Sequence, residues 1–152
     1  MNATTAAIEQ AINFSSTRFG EISVSPDKVI YFSRGLPGFA ALRRFILLDH
    51  DSDGLFKWLQ SVDDPAVAFL LTNPGAYKPG YTVPLKKSEI DELGIKDDND
   101  VVTLVMVCVS RGEKREVSLN LKGPVVFNSG NMKALQSIID RDDYPSNFVI
   151  KI

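Results

Sequence analysis

The chain has 152 residues, 44% of them hydrophobic and 24% charged, the proportions of a globular domain with a hydrophobic core of its own. Its net charge is −2 and its sequence pI about 5.4. That excludes a general nucleic-acid binder, which needs clustered Lys and Arg against phosphate. It suits a protein partner, a basic one in particular, because opposite charge steers association.

The single cysteine, Cys108, rules out an intrachain disulfide. It lies in the apolar run Val101–Val109 and is expected to be buried, as suits a reducing compartment. The first basic residue is Arg18, with no apolar stretch before it, so no signal peptide is expected. No apolar run has the length of a membrane span. These features predict a cytoplasmic protein without membrane contact.

Residues 1–15 are rich in Ala, Thr, Asn and Ser and read as a flexible extension, with at most a frayed helix over Ala6–Ile12. Residues 16–152 read as one domain. Strand patterns follow in Arg18–Val24, Val29–Phe32, Arg44–Leu48, Phe56–Val62 and Val67–Leu71, with Gly35-Leu36-Pro37-Gly38 as a turn. In the fourth of these, Phe56, Trp58 and Val62 are assigned to the core face, and Lys57 and Ser61 to the other.

Asn73–Pro84 holds three prolines and two glycines and is expected to be a long loop. Ser88, an acid three residues on, and Gly94 frame one short helix over 88–94. Asp97–Asp100 make an acidic turn. Val101–Ser110 is β-branched and reads as a buried central strand. Arg111–Glu113 turn the chain into the alternating Val117, Leu119 and Leu121. Val125–Asn128, Lys133–Ile139 and Asn147–Ile152 complete the strands. The fold class is therefore all-β, mostly antiparallel, as a small closed or partly closed barrel with one short helix.

Catalytic patterns are missing from the sequence. His50 is the only histidine, no Gly-x-Ser-x-Gly elbow occurs, and Cys108 sits in a core-type strand where a thiol is inert. The chain therefore reads as a non-enzyme. Asp49-His50-Asp51-Ser52-Asp53-Gly54 resembles the front half of a calcium loop, but the twelfth position is Gln60 where a bidentate Glu belongs. A solvated acidic turn is favoured over a metal site, and no cofactor is expected. Arg111–Arg115 is a dense basic patch broken by Glu113, without the interleaved aromatics of a single-strand nucleic-acid platform.

Several segments together resemble the flagellar assembly factor FliW family: Thr17–Ile22, Gly35–Phe39, Phe56–Val62, Asp64-Pro65, Ala68-Phe69, Ser118–Leu121, Gly123–Asn128, Gln136 and Tyr144-Pro145. Ser33, Asn73, Ser118 and Gly123 depart mildly from the family pattern. The resemblance implies a β-barrel-like cytoplasmic protein, monomeric when free, that binds flagellin. It also implies binding to CsrA, an RNA-binding repressor of flagellin translation, once flagellin has been exported. Such a switch requires each partner to weaken the other, by overlap or by reciprocal linkage. A flagellin chaperone that ignores CsrA is the alternative, and a calcium-responsive domain a more distant one.

Trp58, Leu119, Leu121 and Val125 are expected in the core. The candidate partner-binding residues are Gln60, Asp63, Asp64, Asn120 and Asn128, each either a contact or a structural hydrogen-bond anchor. Asp97, Asp98 and Asp100 form an alternative docking patch for a basic partner.

Overall fold

The computed structural model describes residues 11–110 and 115–151. Most of the expected N-terminal extension and the basic tip at 111–114 lie outside the described residues.

Among the described residues eleven strands run in chain order: β1 (Ile12–Ser16), β2 (Gly20–Val24), β3 (Ile30–Phe32), β4 (Arg44–Asp49), β5 (Phe56–Ser61), β6 (Ala68–Thr72), β7 (Val101–Val109), β8 (Val117–Leu119), β9 (Val125–Asn128), β10 (Lys133–Gln136) and β11 (Phe148–Ile150). Among the described residues one α-helix, α1 (Lys87–Leu93), follows the long loop. The order β7-β6-β5-β4-β3-β10-β9, with β9 pairing back onto β7, closes a seven-stranded barrel. All its pairings are antiparallel except β3 with β10. The second half of β7 leaves this wall to pair with β8, and β8 with β11.

Residues expected in the N-terminal extension form a strand instead. β1 pairs antiparallel with β2, Ile12 opposite Val24 and Phe14 opposite Ile22. Its short polar residues alternate with Ile12 and Phe14, so one face of the hairpin is apolar. The boundary expected at residue 15 thus falls inside an ordered element.

Three apolar clusters hold the domain together. Phe32, Phe45, Leu59, Leu71, Leu104 and Phe127 fill the barrel, with Phe32 and Phe45 edge to face at 5.2 Å. Leu119, Leu121, Val105, Ile139 and Tyr144 form a second cluster on the other side of β7. Leu93, Val126 and Leu135 pin α1 to the wall. The Asn73–Pro84 loop is tied down where the Tyr81 hydroxyl donates to Leu121 O at 2.6 Å. Thr82 N donates to the Tyr144 hydroxyl at 3.0 Å.

Two turn residues have the backbone that the sequence demands. Gly38 takes φ +81, and Gly35 takes φ +65, where a Cβ would lie 2.6 Å from Ala40 O. The helix begins earlier than expected. Its N-cap is Lys86, not Ser88, because the Glu89 carboxylate accepts from Lys86 N at 2.9 Å. Gly94 closes it in the left-handed region, at φ 63.

Two burial assignments are reversed. Leu59, not Trp58, points into the barrel, so the core face within β5 is the one opposite to that expected, while Val62 just past its end is buried as expected. Cys108 is exposed rather than buried, because the last part of β7 runs past the end of the barrel pairing.

Candidate functional site

The proposed partner-binding residues fall into three groups that share no hydrogen bond among the described residues. The first lies where the turn of the β1–β2 hairpin meets β5. Gln60 is completely buried. Its Oε1 accepts from the Ser16 hydroxyl at 2.9 Å, and its Nε2 donates to the carbonyls of Ser61, Val67 and Pro65 at 2.9, 3.2 and 3.3 Å. Ser16 Oγ in turn accepts from Arg18 N and Phe19 N, and Thr17 N donates to Pro65 O. Gln60 therefore stitches the hairpin to the barrel.

Asp63 and Asp64 sit beyond it in the β5–β6 turn, both backbone N–H groups donating to Ser61 Oγ. The Asp63 carboxylate accepts from Arg44 Nε at 2.9 Å and from the N–H groups of Arg44 and Arg43. Partial burial pushes its pKa up. The hydrogen bonds from the Arg44 side chain and from both backbones, with the Arg44 charge, outweigh that and leave it below 3.8. Asp64 accepts from Ala66 N.

The second group gathers at the far end of the barrel, near the C-terminus of α1. Asn128 is buried. It donates to Leu93 O at 3.0 Å and Gly94 O at 3.2 Å, and accepts from Gly130 N at 2.9 Å. It satisfies carbonyls that the last helical turn leaves open. Asp97 caps a short 3-10 turn by accepting from Asn99 N, and Asp100 O accepts from Ser129 N. Asp97 and Asp98 are exposed, and none of Asp97, Asp98 and Asp100 enters an ion pair among the described residues. This leaves an acidic corner at a hollow lined by Val83, Leu85, Ile90 and Val101 together with Lys96 and Asp98.

Asn120 stands alone as the third. Its Oδ1 accepts from Gly123 N at 3.1 Å, and its own N–H donates to Met106 O.

A further cluster escapes sequence reasoning because its members are distant in the chain. Trp58 Nε1 donates to His50 Nδ1 at 3.0 Å. Indole N–H is only a donor, so His50 Nδ1 is the acceptor of this bond. Phe19 meets the indole edge to face at 5.9 Å, and the Arg18 guanidinium lies 4.3 Å from the ring centroid. The hairpin turn thus covers the outer face of β5 with an aromatic and a cation. The motif Arg18-Phe19 was visible in the sequence, but its target was not.

The acidic turn does not assemble a metal cage. Lys57 Nζ pairs with Asp49 Oδ1 at 2.6 Å. Among the described residues, no three His, Cys, Asp or Glu side chains converge as ligands. Desolvation acts to raise the Asp51 pKa, but hydrogen bonding shared with the Asp53 side chain and with the Phe56 and Leu55 backbone, together with nearby His50, leaves it lowered. No described helix is long and apolar enough to cross a membrane.

Comparison with known proteins bears on the whole domain. The family model described as FliW protein matches residues 13–150. The flagellar assembly factor FliW of Thermoanaerobacter pseudethanolicus is 37% identical over 88% of this chain and 89% of its own. Flagellar assembly factor FliW 2 of Desulfotalea psychrophila is 38% identical over 88% and 87%. A crystal structure of the flagellar assembly factor FliW superposes with a TM-score of 0.81 at 28% identity, covering 90% of this chain and 95% of that one. Matching sequence and matching barrel together place this chain in the FliW family of flagellar assembly factors.

Proposed function

We propose that this protein acts by binding, not by catalysis, in the bacterial cytoplasm, and that it alternates between flagellin and CsrA. Held by flagellin, it is unavailable to CsrA. Released when flagellin is exported, it captures CsrA and lifts repression of flagellin translation. The observation that carries this reading is the family match across residues 13–150, which spans every described strand except the first residue of β1.

The charge distribution supports a basic second partner. Asp97, Asp98 and Asp100 present an acidic corner that enters no ion pair among the described residues, although Lys96 lines the same hollow as Asp98, and such a corner speeds encounter with a positive surface. Asp63 and Asp64 offer a second acidic turn, although Arg44 neutralises Asp63 in part. Gln60 and Asn128 contribute through the frame: both are buried, and their polar atoms are engaged internally.

Calorimetry of the free monomer with cognate flagellin and, separately, cognate CsrA tests the reading. Both are expected to bind at micromolar concentration, and prior saturation with flagellin is expected to weaken CsrA binding. Absence of binding to either protein would refute it. Flagellin binding without displacement of CsrA from flagellin leader RNA in a gel shift would reduce the role to that of a chaperone.

A further inference from the structure

The barrel wall does not overlap equally along its circumference. β4 and β5 pair over five positions, and so do β5 and β6, but β6 and β7 meet only at Leu71–Met106 and Thr72–Val105. Beyond Met106, β7 continues to Val109 and pairs with β8 instead.

The ladders reveal which edges this leaves without a strand partner among the described residues. Asn120 N donates to Met106 O, and Ser110 N to Glu116 O. The backbone groups of Met106, Cys108 and Ser110 therefore face β8, and those of Val107 and Val109 face the other way. On β6, Ser61 N donates to Val67 O. The groups of Val67, Phe69 and Leu71 accordingly face β5, and those of Ala68 and Leu70 face β7. The N–H and C=O groups of Ala68 and Leu70 thus look toward those of Val107 and Val109 across a seam with no register between them.

The seam opens into a crevice of about 480 Å³, whose walls include Trp58, Phe69, Leu70, Met106, Cys108 and Asn120 and carry no charged side chain among the described residues. Free edges are ordinarily guarded by charge, proline or a bulge. Neither Ala68–Leu70 nor Val107–Val109 contains a charged residue or proline, whereas β2 carries Glu21 and β11 is followed by Lys151. Val109 is 51% exposed, and Ala68, Leu70 and Val107 are partly exposed.

We propose that this seam is a strand-docking site that takes an extended, uncharged segment of a partner polypeptide. The segment adds main-chain hydrogen bonds to the free edges of β6 and β7, and its alternate side chains enter the crevice beside Trp58. A helix is disfavoured because its own backbone groups are already paired, leaving those of the seam unmatched. A charged segment is disfavoured because a charge in this crevice would lose water without gaining a partner. The site does not depend on either partner named above.

Cys108 supplies a reporter in the unaltered protein, being the only thiol, exposed and part of the crevice wall. The probe is a phage-displayed library of random peptides about twelve residues long, twice a typical strand. It is selected on the full chain and depleted on an Ala68→Pro/Val109→Pro variant. Each proline removes one seam-facing N–H and spares the ladder on the opposite edge. Circular dichroism checks the fold of the variant, and Leu70→Lys, which puts a charge in the crevice, serves for depletion if the prolines disturb it.

Enriched peptides are expected to lack central charges and to alternate apolar with polar residues. At ten times its Kd, such a synthetic peptide is expected to slow Cys108 modification by a disulfide reagent about tenfold. It is also expected to protect the amides of Ala68, Leu70, Val107 and Val109 from hydrogen exchange. The proposal is overturned by no enrichment over the variant, by charged or helical winners, or by bound peptide that leaves those amides exchanging at the free rate. Protection that rises with protein concentration alone would assign the seam to a second copy of the chain, and that too would overturn it.

Discussion

The two ends of the contact between β5 and the hairpin turn treat polar groups in opposite ways. At one end Gln60 has no exposed surface, and every polar atom of its amide is matched, by Ser16 on one side and by three carbonyls on the other. At the other end Trp58 and His50 share one hydrogen bond in a half-open setting, with Arg18 laid over the indole. Both ends meet the same hairpin turn. A lost partner at the buried end leaves a group with no water to replace it, while at the open end solvent takes over. The comparison separates what holds the hairpin on from what merely rests against it.

Removing the buried amide is the strongest way to break that contrast. Gln60→Ala leaves the Ser16 hydroxyl and Ser61 carbonyl without this partner and opens a cavity. It is expected to cost about 3 kcal/mol, seen as a lower urea midpoint at unchanged m. A change below the noise of the titration would mean that the hairpin is not fastened through Gln60.

Acid titration probes an intermediate setting. Asp63 has a folded pKa below 3.8, so its contribution is present above that value and fades as pH falls through the folded pKa. Asp63→Asn should therefore lower stability near neutral pH, and the difference from wild type should shrink as pH drops below about 4. Arg44 is 47% exposed, so solvent screening limits the effect to about 0.5 kcal/mol. A difference that grows with acidity would contradict the sign.

The open end should give the least. Arg18→Ala removes the cation from the Trp58 face and is expected to cost about 0.5 kcal/mol. Its clearer signature is a shift in emission from the only tryptophan. A loss as large as that of Gln60→Ala would erase the distinction between the two ends.

The strands were legible because alternation and β-branching survive without context: β3 to β11 lie where Val, Ile, Phe and Leu recur between turn residues. The Gly35–Gly38 turn and the Gly94 helix stop were equally plain, since left-handed backbone favours glycine. β1 was missed because Ile12 and Phe14 are its only large apolar residues, and a two-stranded ribbon takes its stability from what it packs against. The helix start was displaced because Ser88 is a good cap by type, while Lys86 caps through its backbone and Glu89.

The candidate site was legible only in part. Gln60 and Asn128 stood out as polar residues in or beside strands, and that choice between anchor and contact needed burial, which no local pattern contains.

What the sequence by itself determined is the strand inventory apart from β1, the turns and, through ordered motifs spread over the chain, the family. Those depend on short-range periodicity and on residue types that only certain backbones accept. Tertiary structure alone decided which face of β5 is inside, that Cys108 emerges into solvent, and that β6 and β7 part after two paired residues. Each of these follows from how far one strand overlaps its neighbour and what lies across its outer face. Both are relations between residues many positions apart, to which local alternation is blind.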